Sequence, residues 1–107
     1  MGVKNKGQIK VGPVIYKETF KKNLRGDEGQ RLFGQVQHLP REIELDASLA
    51  GVELLLTRWH EVLHALEDLY GVILSESEVS LLSTGIVQIL LDNDFMRGNN
   101  ISARAEK

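Results

Sequence analysis

The sequence contains no cysteine. That excludes a disulfide scaffold, a thiolate nucleophile and cysteine-ligated zinc, so any bound metal must be held by His, Asp or Glu. An excess of either charge is also missing: 13 Lys plus Arg stand against 15 Asp plus Glu, a formal net charge of −2. Nucleic-acid backbones are normally met by a strongly basic face or stripe. Here Lys21, Lys22 and Arg25 are offset by Asp27 and Glu28, so no direct nucleic-acid partner is expected. No apolar run approaches the roughly 18 residues of a membrane span, and the basic segment from Met1 to Lys10 lacks the apolar core of a signal peptide. The expectations are no membrane association and a cytoplasmic location. Neither a phosphate-binding loop nor a Ser/His/Asp arrangement is present.

What remains is 107 residues, 42% hydrophobic and 26% charged, enough for one globular domain with a modest core. Polar ends suggest a flexible N-terminal tail over residues 1–8 and a polar C-terminal tail over 96–107, leaving a single domain at 9–95. From Ile9 to Phe20, the β-favouring Val11, Val14, Ile15, Tyr16 and Thr19 predict a strand with an edge or bulge at Gly12-Pro13. Residues 21–30 read as an exposed loop. Leu32 to Leu39 and Glu42 to Asp46, separated by Pro40-Arg41, predict an antiparallel hairpin with Ile43 and Leu45 facing a core.

The period then changes. Val52, Leu55, Leu56, Trp59, Leu63, Leu66 and Tyr70 recur at three- and four-residue spacing, predicting a helix from Leu49 to Tyr70 with Asp46 or Ser48 as its cap and Gly71 as its stop. Ser75 and Glu78 have the spacing of a capping box. They predict a second helix, with Val79, Leu82, Ile86, Ile89 and Leu90 along its core side and an end near Asp92-Asn93. The expected fold class is α+β: a small antiparallel sheet of about three strands packed on two helices.

Within the first helix, Trp59-His60-Glu61-Val62-Leu63-His64 reads H-E-x-x-H. Histidines four residues apart lie about 40° apart around the axis and one turn along it, so both imidazoles can reach one ion. Glu61 projects beside the pair, where a general base for a metal-activated water should stand. As plain helix residues, the same three would be polar-face groups flanking the apolar stripe. Catalytic zinc takes three protein ligands, so a third is needed. A second helix folding back after residues 71–74 brings its first turn, with Glu76 and Glu78, toward the histidines. Glu78 is preferred because it precedes Val79 and Leu82 at the packed seam, although the capping box competes for it. Glu76, and more remotely His38 and Asp68, are the alternatives. Zn2+ suits two histidines and a carboxylate best, while Fe, Mn, Co and Ni accept similar ligands. Trp59, on the apolar stripe, is read as core.

The motif, together with Ile43-Glu44-Leu45-Asp46 as a preceding strand and Glu78-Val79-Ser80-Leu81-Leu82-Ser83 as a Glu-led second helix, resembles the small ImmA/IrrE-like metallopeptidases of the gluzincin group, which include short phage- and prophage-encoded proteins. The resemblance implies a minimal zincin-like domain with His60, His64 and Glu78 as zinc ligands and Glu61 as general base. Its implied activity is peptide-bond hydrolysis, with a peptide or protein as substrate. Where larger gluzincins place an acid four residues after the ligand glutamate, this chain has Leu82, so support for a histidine must come from elsewhere, with Asp68 a candidate. A peptide lying along the strand Leu32 to Leu39 is one expected binding mode. Tyr16, Tyr70 and His38 are open candidates for stabilising the oxyanion. The alternative function is a non-catalytic, phage-type protein-interaction module carrying a relic or metal-stabilised motif.

Overall fold

The computed structural model describes residues 7–93. The expected tails lie outside the described residues, apart from Gly7 and Gln8. Gln8 opens the first strand rather than belonging to a tail. The segment expected to be one strand is a hairpin: β1 (Gln8–Val11) and β2 (Val14–Lys21) pair antiparallel, with Val11 opposite Val14. Gly12 has a φ of 58°, and a glycine with positive φ at the first of two loop residues is what a type II′ hairpin turn requires. The Tyr70 hydroxyl lies where a Cβ on Gly12 would go.

β3 (Gly34–Gln37) and β4 (Glu42–Asp46) form the expected antiparallel hairpin, with Ile43 and Leu45 wholly buried. β4 then pairs with β2 in parallel, giving the sheet order β1-β2-β4-β3. The fold class is α+β as expected, but the sheet has four strands and is mixed. A parallel neighbour is reached only through a long crossover, and the chain from 22 to 41, including β3, provides it. Its loop is pinned by Asp46. One carboxylate oxygen accepts from the Leu24 N–H at 2.9 Å, and the other from the Ser48 N–H at 3.1 Å, the Ser48 hydroxyl and Arg31 Nη2 at 3.3 Å.

Asp46 and Ser48 therefore do not cap the next helix. α1 (Gly51–Tyr70) starts after Ala50, which is extended and offers no side-chain cap, and it stops as expected at Gly71, whose φ is 68°. Its sheet side carries Leu54, Val62, Ala65, Leu66 and Leu69, packed on Val11, Tyr16, Ile43 and Leu45. Arg58 reinforces this side through two bonds to Glu18 on β2, at 2.6 and 3.2 Å. Val52 and Tyr70, expected in the apolar stripe, are more than half exposed. α1 is covered on one side by the sheet and on another by α2, so its buried positions form two stripes rather than one.

α2 (Glu76–Asp92) has Ser75 as N-cap, and both bonds of the capping box are present. Its main packing partner is α1. The residues it buries are Val79, Ser83 and Val87, one every four residues. Val79 is buried as expected, but Leu82 and Ile89, expected beside it, are exposed, and Ser83 and Val87 face the core instead. With apolar residues on most of its perimeter and one major neighbour, the helix cannot cover them all, and the row containing the small Ser83 faces α1. No described helix is long and apolar enough to cross a membrane.

Candidate metal centre

α1 runs across β3, the edge strand at one side of the sheet, and so places H-E-x-x-H over Gly34 and its neighbours. The His60 and His64 rings lie 4.9 Å apart, centroid to centroid, in an edge-to-face arrangement. The turn at residues 71–75 returns the chain so that Glu76, the first residue of α2, meets both. Its carboxylate oxygens stand 3.2 Å from His60 Nε2 and 3.1 Å from His64 Nε2. One donor atom from each of the three residues falls within 4.8 Å of the others, a spacing that could hold a metal ion.

Glu78, the expected third ligand, is elsewhere. Its carboxylate accepts from the Ser75 N–H at 2.8 Å, while the Ser75 hydroxyl accepts from the Glu78 N–H at 3.0 Å. Residues two apart on a helix differ by about 200° around the axis, so the acid that closes the capping box points away from the one that meets the histidines. The capping box, weighed in the sequence as a competitor for Glu78, is what commits it and leaves Glu76 free.

His64 Nδ1 lies 2.7 Å from the Glu67 carboxylate. The other oxygen of Glu67 accepts from the Leu74 N–H at 2.7 Å, tying the turn between the helices to the histidine. These two contacts, the amide first, hold the Glu67 carboxyl below its usual range, so it is an ionised acceptor. Asp68, expected in this role, instead meets His38 Nδ1 at 3.4 Å. The i,i+3 spacing of His64 and Glu67 was the available signal. With Nδ1–H donated to Glu67, a neutral His64 turns the Nε2 lone pair toward an oxygen of Glu76. Two acceptors at that distance need a cation between them, either a proton or a metal. The donor set thus fits a divalent ion by its own chemistry, with two imidazole nitrogens, one carboxylate and a carboxylate behind one imidazole.

Glu61 is 7% exposed. Burial pushes its carboxyl up to about 7, with His64 pulling the other way and Glu76 adding to the rise. Space for it exists because residue 34 is glycine: a Cβ there would stand 2.9 Å from Glu61 Cγ and 2.9 Å from Thr57 Cγ2. The three H-E-x-x-H side chains and Glu76 line a cavity of about 640 Å³, whose far wall is β3 and whose rim carries His38. Of the other candidates, Tyr16 is wholly buried and Tyr70 lies over Gly12. Neither lines the cavity, and Trp59 does not either. Comparisons of the chain with protein-family models, with curated proteins and with solved structures find no match.

Proposed function

We propose that the chain is a zinc-dependent metallopeptidase, as the resemblance of its motif to ImmA/IrrE-like proteins suggests. The observation that carries this reading is the convergence of two imidazole Nε2 atoms and the Glu76 carboxylate beside the buried Glu61. A zinc ion held by His60, His64 and Glu76 would polarise a peptide carbonyl and acidify a water. Glu61 takes that water's proton and returns it to the leaving amine. Glu61 stands buried beside the histidines, where an acceptor for that proton is needed. Glu67 keeps the His64 ring oriented.

β3 is one of the two edge strands of the sheet and forms the wall opposite the histidines. An extended peptide added along its free edge gains backbone hydrogen bonds and lies across the cavity. The oxyanion is assigned to His38, which alone among the three candidates lines the cavity. Its Nδ1 faces the Asp68 carboxylate at 3.4 Å, which leaves Nε2 as the nitrogen for the oxyanion.

Elemental mass spectrometry tests the metal, and peptide hydrolysis tests the chemistry. The expected result is near one zinc per chain, lost in His60→Ala and in His64→Ala, with hydrolysis abolished but zinc retained in Glu61→Gln. A chain that takes up no zinc would instead favour the non-catalytic interaction module.

A further inference from the structure

A second cavity, of about 360 Å³, lies on the other side of the H-E-x-x-H wall. Gly34, His60 and Glu61 line both cavities, so the two meet at the residues assigned to the reaction. The chemistry of the second is different. Apart from that shared wall it carries no ionisable group: Phe33 and Leu56 supply apolar surface, and Thr57, Ser80, Ser83 and Thr84 supply hydroxyls. The buried Ser83 hydroxyl already donates to the Ser80 carbonyl at 3.1 Å. Phe33 is held in place from behind, since the Arg31 guanidinium carbon lies 5.3 Å from its ring centroid and Arg31 is itself paired with Asp46.

Resting on the peptidase reading, we propose that this cavity is a specificity pocket that takes one uncharged, apolar substrate side chain of the size of Leu, Met or Phe, next to the bond to be cleaved. Its volume is at the small end for ligand pockets and suits a side chain rather than a whole small molecule. A Lys or Asp side chain entering it would leave its hydration, and the ionisable groups it could meet, Glu61 and His60, belong to the shared wall and are engaged in the reaction. Leu56 and Phe33 reward an apolar group, and a glycine would leave their surface wet. Main chain in the first cavity and side chain in the second is the division expected for an extended peptide crossing the shared wall.

The test uses capped hexapeptides identical except for one central residue: Leu, Phe, Met, Gly, Lys or Asp. Binding to the protein without added metal is read from amide NMR shifts at Phe33, Ser80 and Thr84, and cleavage by the zinc-loaded protein is read by mass spectrometry. The Leu, Phe and Met peptides are expected to bind roughly tenfold more tightly than the Gly, Lys and Asp peptides. Thr84→Trp, which fills the pocket from an exposed position on α2, is expected to remove that preference, as is Ser80→Phe. Equal binding of all six peptides, absence of shifts at these three residues, or an unchanged order in both variants would overturn the proposal. The two readings separate cleanly. Selective binding without cleavage by the zinc-loaded protein keeps the pocket and sinks the peptidase, whereas cleavage without side-chain preference does the reverse.

Discussion

Glu76 and Glu78 occupy the same helical turn and serve unrelated ends, because one position of α2 is committed to its cap and the other is not. Glu76→Ala is therefore expected to lower zinc affinity sharply at unchanged thermal stability of the metal-free protein. Glu78→Ala should leave zinc binding nearly intact and cost about 1 kcal/mol of stability, the usual worth of a cap. Calorimetric zinc titration beside thermal melts checks both, and loss of zinc in Glu78→Ala alone would reverse the assignment. Glu67→Gln keeps the shape but weakens the hold on His64, so zinc affinity should fall roughly 10- to 100-fold. At this scale H-E-x-x-H was legible because its chemistry lies within five consecutive residues, and the structure places His60, Glu61 and His64 together. Glu76 and Glu67 were harder to read. Their roles depend on which side chains the turn at residues 71–75 brings back, and by spacing Glu78 and Asp68 drew the preference instead.

Among the elements, the edge strand and the crossover loop each depend on one residue. Gly34→Ala would press a methyl against Thr57 on α1 and against Glu61. Strain of this kind costs about 1–3 kcal/mol. It should displace the Glu61 carboxylate, so hydrolysis should drop well beyond the loss of stability, as paired melts and rate measurements will show. Asp46 governs the loop. The Ser48 hydroxyl and the Leu24 and Ser48 amides hold its carboxyl well below the usual carboxylate range, with Arg31 helping. A lowered pKa in the folded state means stability that is complete above the ordinary aspartate value of about 3.9 and is lost as pH falls through the folded value. The melting temperature should accordingly fall as pH drops below about 4, and Asp46→Asn should be less stable at pH 7 with a flatter acid limb. The helices and the β3–β4 hairpin were readable from period and caps, which are local signals. The parallel pairing of β2 with β4 was not, because it joins segments whose residues carry no mark of which neighbour they will meet.

For the whole molecule, α2 is held chiefly through α1, and the sheet and α1 share the main core. Zinc between Glu76 and the two histidines would add a second tie to the helix with fewest others. Hydrogen exchange should then slow on α2 when zinc is added while β2 and β4 change little, and at a hundredfold excess over Kd the gain approaches about 2.7 kcal/mol. Equal slowing everywhere would show that α2 does not open on its own. The α+β class was legible because patterns of period two precede patterns of three to four along the chain. The covered faces of α1 and α2 were not, since an apolar helix in a small domain has more greasy positions than neighbours. The path from His60 to Glu76 is short, a separation of 16 residues, and lies wholly within the helical hairpin. The burial of Glu61, by contrast, requires β3, which belongs to the other half of the chain. If the proposed function holds, chelation and catalysis would therefore draw on different ranges of the polypeptide. On the proposed reading, a partly opened chain that keeps only its helical hairpin would still grasp an ion with little loop to close, whereas cutting would wait on the sheet.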